Sequence, residues 1–165
     1  MLFLFDANVL ISASNIYYPL DQIPEFWSWI EYQGIIGNIK LPLEILEEVL
    51  GGTKKGDPLL NWMNDYKDCL CFQESVDPAG VQHVLTRGYA PDLNDVEIET
   101  IGRDPFLIAY ALAGTRRCVV TAEGSKPSKL RQNRRVPDVC ETLGVVCYNP
   151  FQAYRMLGFR TAWKP

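Results

Sequence analysis

A chain of 165 residues, with 47% hydrophobic and 22% charged residues, has the size and composition of one globular domain. No apolar stretch approaches the roughly 20 residues of a membrane-spanning helix, which argues against an integral membrane protein. The formal net charge of -4 argues against a generally basic nucleic-acid-binding protein.

The N-terminus and the cysteines bear on the cellular compartment. Met1 runs directly into strand-like sequence, without a basic segment or a small-residue cleavage site. We therefore expect no signal peptide and a cytoplasmic location. The five cysteines are odd in number and contain no C-x-x-C pair, so we interpret them as buried, reduced thiols and not as zinc ligands.

The first half of the chain alternates between strand-like and helix-like patterns. It opens with four apolar residues, Leu2 to Phe5, which predict a buried strand. A helical face formed by every third or fourth residue follows Pro42 and ends at Gly51-Gly52. In chain order we predict a strand at 2–5, helices at 9–14 and 24–33, a strand at 35–41, helices at 42–50 and 58–66, a strand at 70–72 and a helix at 78–86.

The second half continues this alternation after a break. Residues 88–103 are acidic, show no clear period and predict a loop. We then predict a helix at 104–113, a strand at 118–121, a loop at 123–135, a helix at 137–143, a strand at 145–148 and a helix at 150–157. Strands that alternate with helices indicate an α/β fold with a mainly parallel sheet, in a single domain over residues 1–165.

Asp6 directly follows the first buried strand, with Asn8 two residues later. An ionised carboxylate at such a position is costly unless a cation or several donors meet it. Ligands of open α/β sheets bind outside the carboxyl ends of parallel strands, which favours a functional role for Asp6. The alternative is that Asp6 only caps the following helix.

Other acids lie at comparable positions, each with a structural alternative. Asp104 precedes Pro105 at a predicted helix start and could serve as a cap, as a ligand or as both. Glu123 follows the 118–121 strand, and Asp138 suits the first turn of a helix. One predicted helix carries three further acids whose spacing does not choose among them: Glu44, Glu47 and Glu48.

Carboxylate oxygens favour hard divalent cations, so Mg²⁺ or Mn²⁺ is the metal that such a cluster predicts. His83 is the only histidine, which leaves little material for a Ser-His-Asp or Cys-His mechanism. The sequence also contains neither a phosphate-binding P-loop motif nor a G-x-G-x-x-G turn.

The charge is distributed unevenly along the chain. Residues 1–102 carry 5 basic and 16 acidic residues, whereas residues 103–165 carry 11 basic and 4 acidic ones. Such asymmetry can mark a surface that contacts phosphates, and the alternative is a solvated loop face. The candidate RNA-binding residues are Arg116, Arg117, Lys126, Lys129, Arg131, Arg134 and Arg135.

Four ordered motifs resemble the PIN-domain family. They are F-D-A-N-V-L-I, L-E-E-V, R-D-P-F-L-I-A-Y-A and V-V-T-A-E, and the similarity covers most of the chain. The family pattern has an Asp after the first strand, a Glu in an early helix, an Asp opening a later helix, and a strand ending in Thr before an acid. The matching residues are Asp6, Glu48, Asp104, Thr121 and Glu123. The family more often has Asp where this chain has Glu123.

The resemblance implies a three-layer α/β/α sandwich and a ribonuclease of the kind seen in VapC-like toxins of bacteria and archaea. It further implies a homodimer and an antitoxin protein that enters the acidic cleft. Asp6, Asp104 and Glu123 would bind Mg²⁺ or Mn²⁺ in such an enzyme, directly or through water, and Glu48 would orient the attacking water or support the metal ligands from behind. Asn8 and Thr121 would hydrogen-bond the ligands or the phosphate.

Two alternatives to a ribonuclease stay open. A phosphatase of the haloacid dehalogenase type also has an Asp after its first strand. That class requires a second Asp where this chain has Asn8, and its later paired acids are missing. The other alternative is a PIN-like module whose acidic cleft binds a protein without catalysis.

Overall fold

Four short parallel strands form the centre of the fold, in the spatial order β2-β1-β3-β4. The computed structural model describes residues 1–52 and 54–164. The strands are β1 (Leu2–Phe5), β2 (Ile39–Lys40), β3 (Arg117–Val120) and β4 (Cys147–Tyr148). The helices are α1 (Ala7–Ser12), α2 (Pro24–Ile35), α3 (Leu43–Gly52), α4 (Pro58–Leu70), α5 (Pro78–His83), α6 (Asp95–Ile101), α7 (Asp104–Leu112), α8 (Val136–Leu143) and α9 (Pro150–Met156).

The strand order has a topological switch point between the neighbouring strands β1 and β3. From β1 the chain moves to β2 on one side, whereas β3 and then β4 extend the sheet on the other side. β1 and β3 pair in parallel along their whole length, from Leu2 opposite Arg117 to Phe5 opposite Val120. A parallel sheet opens a crevice at such a switch point, outside the carboxyl ends of the two strands.

Both faces of the sheet are covered by helices, which explains why the strands are apolar throughout. Leu4 and Phe5 on β1 and Val119 and Val120 on β3 are fully buried. α7 packs on β1 and β3, and nearly all of its side chains are apolar. This arrangement confirms the predicted three-layer α/β/α sandwich, and the described strands are all parallel. Within the described part of the chain, no helix has the length and apolar character that crossing a membrane requires.

The prediction of a loop over residues 88–103 is wrong, because α6 occupies residues 95–101. Asn94 and Glu97 form a reciprocal capping box, in which each side chain accepts a hydrogen bond from the other residue's backbone N–H. Val96 and Ile98 are exposed, so the helix has no apolar stripe toward the core. Its capping signal was therefore present without the periodicity that usually reveals a helix.

Several other boundaries differ from the predicted ones. The strand predicted at 35–41 is limited to β2, because α2 continues to Ile35. The strand predicted at 70–72 is reduced to a single bridge between Leu41 and Cys71. Two predicted helical regions end in π-helical turns, Ala13–Tyr17 after α1 and Val84–Tyr89 after α5. Such turns insert an extra residue and often occur near functional sites.

Candidate functional site

Hydrogen bonds join the carboxyl ends of β1 and β3 through three polar side chains. The Thr121 hydroxyl donates to Asp6 Oδ2 over 2.7 Å, and Asn8 Nδ2 donates to the same oxygen over 2.5 Å. Asn8 Oδ1 in turn accepts from the backbone N–H of Ala122 at 2.8 Å. The residues predicted from the D-x-N motif and from the strand-ending Thr therefore form one network at the switch point.

Asp6 is a buried carboxyl group with only 4% of its surface exposed. It occupies the N-cap position of α1, yet its side chain makes no capping hydrogen bond. Burial raises the pKa of Asp6 to about 6, opposed by the Thr121 hydrogen bond and assisted by the charges of Glu48 and Glu123. The structure thus favours the functional interpretation of Asp6 over capping alone.

Asp104 is the first residue of α7, and the N-cap position is occupied by Arg103. Burial, followed by the charges of Asp6, Glu123 and Glu48, raises the pKa of Asp104 to about 8 against the opposing effect of Arg135. The charges of all three other predicted acids therefore act on Asp104, and Glu123 lines a cavity together with it.

Glu48 is the glutamate of α3 that faces this cluster. Its charge raises the pKa of both Asp6 and Asp104. Burial raises the pKa of Glu48 itself, and the nearby charge of Arg103 lowers it. Glu47 instead forms an ion pair with Arg103 at 2.8 Å, and Glu44 lines a separate cavity beside Tyr110. The structure thus separates three residues that helical spacing left equivalent.

The carboxylate of Glu123 accepts two hydrogen bonds from residues at the start of α8. Its Oε1 accepts from Arg135 at 3.0 Å, and its Oε2 accepts from the backbone N–H of Val136 at 2.9 Å. Both carboxylate oxygens therefore point to the start of α8. The reach of glutamate, compared with aspartate, allows this contact while the backbone N–H of Glu123 still bonds to Thr121.

The donor chemistry of the cluster fits a hard divalent cation, because it offers carboxylates whose mutual repulsion an ion would relieve. Asp6 and Asp104 are the two carboxyl groups that burial and like charges most strongly keep protonated. Over residues 1–52 and 54–164, however, no group of three or more acidic, His or Cys side chains is arranged closely enough to hold a metal ion. Glu123, the third expected ligand, forms an ion pair with Arg135 at 3.0 Å.

Asp138 fixes the loop that carries Glu123. Its carboxylate accepts hydrogen bonds from the Ser125 hydroxyl and from the backbone N–H of Lys126. Burial raises the pKa of Asp138, but these hydrogen bonds outweigh burial and lower it overall. Asp138 lies in the first turn of α8, as the sequence indicated, and joins this helix to the loop.

The predicted RNA-binding residues fall into three groups. Lys129 and Arg135 line a cavity of about 240 Å³ together with Asp104 and Glu123, and Lys126 is exposed on the same loop. Arg134 lines the same cavity, but its guanidinium donates to Gly88, Asp138 and Thr142. Arg131 pairs with Asp92 and Glu97 instead.

Arg116 and Arg117 lie at the other end of the sheet from the acids. Arg117 begins β3, whereas Thr121 follows its end, so the strand separates the two. Arg117 forms a two-bonded ion pair with Glu74, at 2.7 and 2.8 Å. The structure does not bring these two arginines to the acid cluster.

Tyr89 belongs to this site although the sequence gave no sign of it. Only 7% of its surface is exposed, and its hydroxyl has no hydrogen-bond partner among the described residues. Burial raises the pKa of Tyr89, and the charge of Asp104 is the strongest of several acidic charges that raise it further. Tyr89 ends the π-helical turn before α6, in a region predicted to be a loop, where no periodicity could indicate its direction.

Comparison with known proteins places the chain in a family. A family model described as "Domain of unknown function (DUF4411)" matches residues 3–161, which is nearly the whole chain. No curated protein and no solved structure gives a significant match. The chain therefore belongs to the DUF4411 family.

Proposed function

We propose that this protein is a metal-dependent endoribonuclease that hydrolyses RNA phosphodiester bonds at the site formed by Asp6, Glu48, Asp104 and Glu123. One observation carries the proposal: Asp6 follows β1 at the switch point of the parallel sheet and is hydrogen-bonded to Thr121 after β3. Burial and the charges of the other acids raise the pKa values of Asp6 and Asp104, which supports it. Active sites are places where perturbed pKa values of this kind concentrate.

In this proposal Asp6, Asp104 and Glu123 would hold a Mg²⁺ or Mn²⁺ ion, which would stabilise charge on a phosphate and supply a water molecule of lowered pKa. Thr121 keeps Asp6 in place through the 2.7 Å hydrogen bond, and Glu48 would orient the attacking water.

The cavity beside the cluster suits the charge of an RNA backbone. Lys129 and Arg135 line it together with Asp104 and Glu123, so a phosphate bound there can contact cations close to the acids. Lys126 is exposed on the same loop as Lys129. Because such contacts release counterions, RNA binding should weaken as salt is added.

We further propose that the enzyme is the cytoplasmic toxin of a toxin-antitoxin pair and acts as a homodimer. The acid cluster offers a binding place for a cationic segment of an antitoxin protein, which would compete with the metal ion and with RNA. The resemblance to PIN-domain toxins in the four sequence motifs is the support for this part of the proposal.

The test is cleavage of single-stranded RNA by Asp6→Asn and by wild type in Mg²⁺ or Mn²⁺. Asp21→Asn is the matched control, because Asp21 is exposed. We expect Asp21→Asn to cleave like wild type and Asp6→Asn to be inactive while keeping the wild-type circular dichroism spectrum. Cleavage by purified Asp6→Asn at the wild-type rate, or undiminished cleavage in EDTA, would refute the proposal.

A second function has its own support. Glu123 is fully engaged by Arg135 and Val136, and the described acids form no closed metal-ligand set. Both features suit a PIN-like module whose acidic cleft binds a partner protein without catalysis. Titration calorimetry separates the two functions, because an enzyme should bind Mn²⁺ at millimolar concentration and a purely protein-binding module should not.

A further inference from the structure

Two exposed aromatic side chains meet beside the acid cluster. Tyr17 lies in the π-helical turn after α1, and Phe151 lies in the first turn of α9. Their rings contact each other edge to face, with centroids 5.1 Å apart and planes at 87°. Tyr17 is 49% exposed and Phe151 41% exposed, so each ring keeps much of its surface in solvent. Large aromatic groups that stay exposed in contact with each other often mark a binding site.

A cavity of about 300 Å³ is lined both by this aromatic pair and by residues of the acidic site. Its walls combine Tyr17 and Phe151 with Glu123 and Gly124. A volume at the lower end of the range for ligand pockets suits a small planar group better than a helix of a partner protein. The cavity thus brings aromatic rings and one carboxylate of the acidic site together.

Glu123 also lines the cavity that contains Asp104, Lys129 and Arg135. The aromatic pair and the basic residues therefore each share a cavity with the same glutamate. A single strand of nucleic acid matches this order of chemistry, because its phosphates are anionic and its bases present aromatic faces. An aliphatic side chain of a partner protein would match the apolar wall but would form no favourable interaction with Lys129 or Arg135.

We propose that Tyr17 and Phe151 form a stacking subsite for one nucleobase of single-stranded RNA, next to the phosphate that the acid cluster cleaves. This inference rests on the proposed ribonuclease function and adds the form of its substrate. Stacking is tolerant of base identity because every base has an aromatic face. The subsite would thus favour unpaired RNA over a duplex, whose bases are stacked on each other and not accessible.

The test measures binding, so that it does not depend on catalysis. All variants are made in the Asp6→Asn background, and binding of a short fluorescent single-stranded RNA is followed by anisotropy. A second RNA of equal length and charge carries abasic sites in place of its bases. We expect Tyr17→Ala and Phe151→Ala each to weaken binding of the base-containing RNA about 10-fold and to leave binding of the abasic RNA unchanged.

Two controls separate stacking from damage to the fold. Ile16→Ala removes a side chain that is 68% exposed next to Tyr17, and should change neither affinity. Phe151→Trp keeps an aromatic face and should retain the affinity that Phe151→Ala loses. Thermal melting of each variant shows whether α9 still packs on the core.

The outcomes distinguish this inference from the proposed function. RNA binding that is equally tight for base-containing and abasic strands, or unaffected by both alanine variants, overturns the stacking subsite and leaves the ribonuclease proposal standing. Base-containing RNA that does not bind at all overturns both. Cleavage by the active protein adds a kinetic readout, because loss of the subsite should raise KM more than it lowers kcat.

Discussion

The Thr121 hydroxyl donates a hydrogen bond to Asp6 over 2.7 Å, and this contact helps to join the end of β3 to the end of β1. Thr121 is itself buried, with 1% of its surface exposed. The contact gives a buried carboxyl group a donor that fixes its orientation toward the crevice. It also makes the geometry of the acid cluster dependent on the register of the two central strands.

Thr121→Val tests this contact, because valine keeps the shape and removes the hydroxyl. The free energy of unfolding should fall by about 1–3 kcal/mol, since Asp6 loses a donor inside the protein. RNA cleavage should fall as well, because Asp6 is no longer held. Urea unfolding gives the first quantity and a cleavage assay the second. Thr86→Val is the matched control, since its hydroxyl bonds only to helix carbonyls, and an equal loss in both variants would contradict the prediction.

The raised pKa of Asp104 predicts that the free energy of unfolding falls as pH rises. The pKa values of about 6 for Asp6 and about 8 for Asp104 lie above the ordinary aspartate value of 3.8. The folded protein therefore binds more protons than the unfolded chain over this window, and its free energy of unfolding falls as pH rises toward 8. In EDTA we expect a loss on the order of 1–3 kcal/mol between pH 5 and about pH 8.

Asp104→Asn should remove most of this pH dependence, because an amide does not titrate. Urea unfolding of both proteins at a series of pH values, in EDTA, measures the difference. Asp21→Asn should follow the wild-type profile. A wild-type protein whose stability rises steadily over the same range would show that Asp104 ionises normally.

A divalent cation should stabilise the wild type and not the acid variants. Mn²⁺ at 100 times its dissociation constant adds about 2.7 kcal/mol to the free energy of unfolding if it binds only the folded protein. We expect a rise in melting temperature with Mn²⁺ that Asp6→Asn and Asp104→Asn lack. Ca²⁺ in place of Mn²⁺ reports whether the site selects by ion size. Equal shifts in wild type and both variants would place the ion elsewhere.

The ion pair of Glu97 with Arg131 should influence the pH at which the protein unfolds in acid. The hydrogen bond from Arg131 lowers the pKa of Glu97 to about 2, below its ordinary value of 4.5. The folded state gains stability from this pair above pH 4.5 and loses that gain as pH falls toward 2. Glu97→Gln should therefore unfold in acid at a higher pH than wild type. Glu99→Gln on the same helix is the control, and identical acid midpoints for all three proteins would contradict the prediction.

Substitution of Tyr89 should affect the stability of the protein and its RNA-cleaving activity differently. Its buried hydroxyl has no partner among the described residues, and such a group costs about 1–3 kcal/mol. Tyr89→Phe should thus be at least as stable as wild type in EDTA, yet cleave RNA more slowly because a donor near Asp104 is lost. Tyr110→Phe is the contrasting variant, because the Tyr110 hydroxyl donates to the Glu74 carbonyl at 3.2 Å. If both variants lose equal stability, Tyr89 has a partner after all.

The sequence was informative about the acids because parallel strands leave their carboxyl ends at one edge. Asp6 and Glu123 could be placed together from their positions after two apolar runs. The roles of the arginines could not be predicted, because each arginine contacts a residue that is distant in the sequence. Arg131 pairs with Glu97, which lies 34 residues earlier in α6. Val96 and Ile98 of α6 are exposed, so α6 has no apolar periodicity by which it could be predicted. Tyr89 was missed because it also lies in a region predicted to be a loop.

Arg135 and Glu123 form an ion pair at the mouth of the acid cluster, 3.0 Å apart. The cluster therefore carries a built-in counter-charge, and a cation that binds Glu123 competes with a guanidinium for the same carboxylate. Binding there is an exchange of one positive charge for another, so its net free energy is smaller than the attraction of the ion alone. Weakly held monovalent ions gain little from such an exchange, whereas a divalent ion shared with Asp6 and Asp104 gains more.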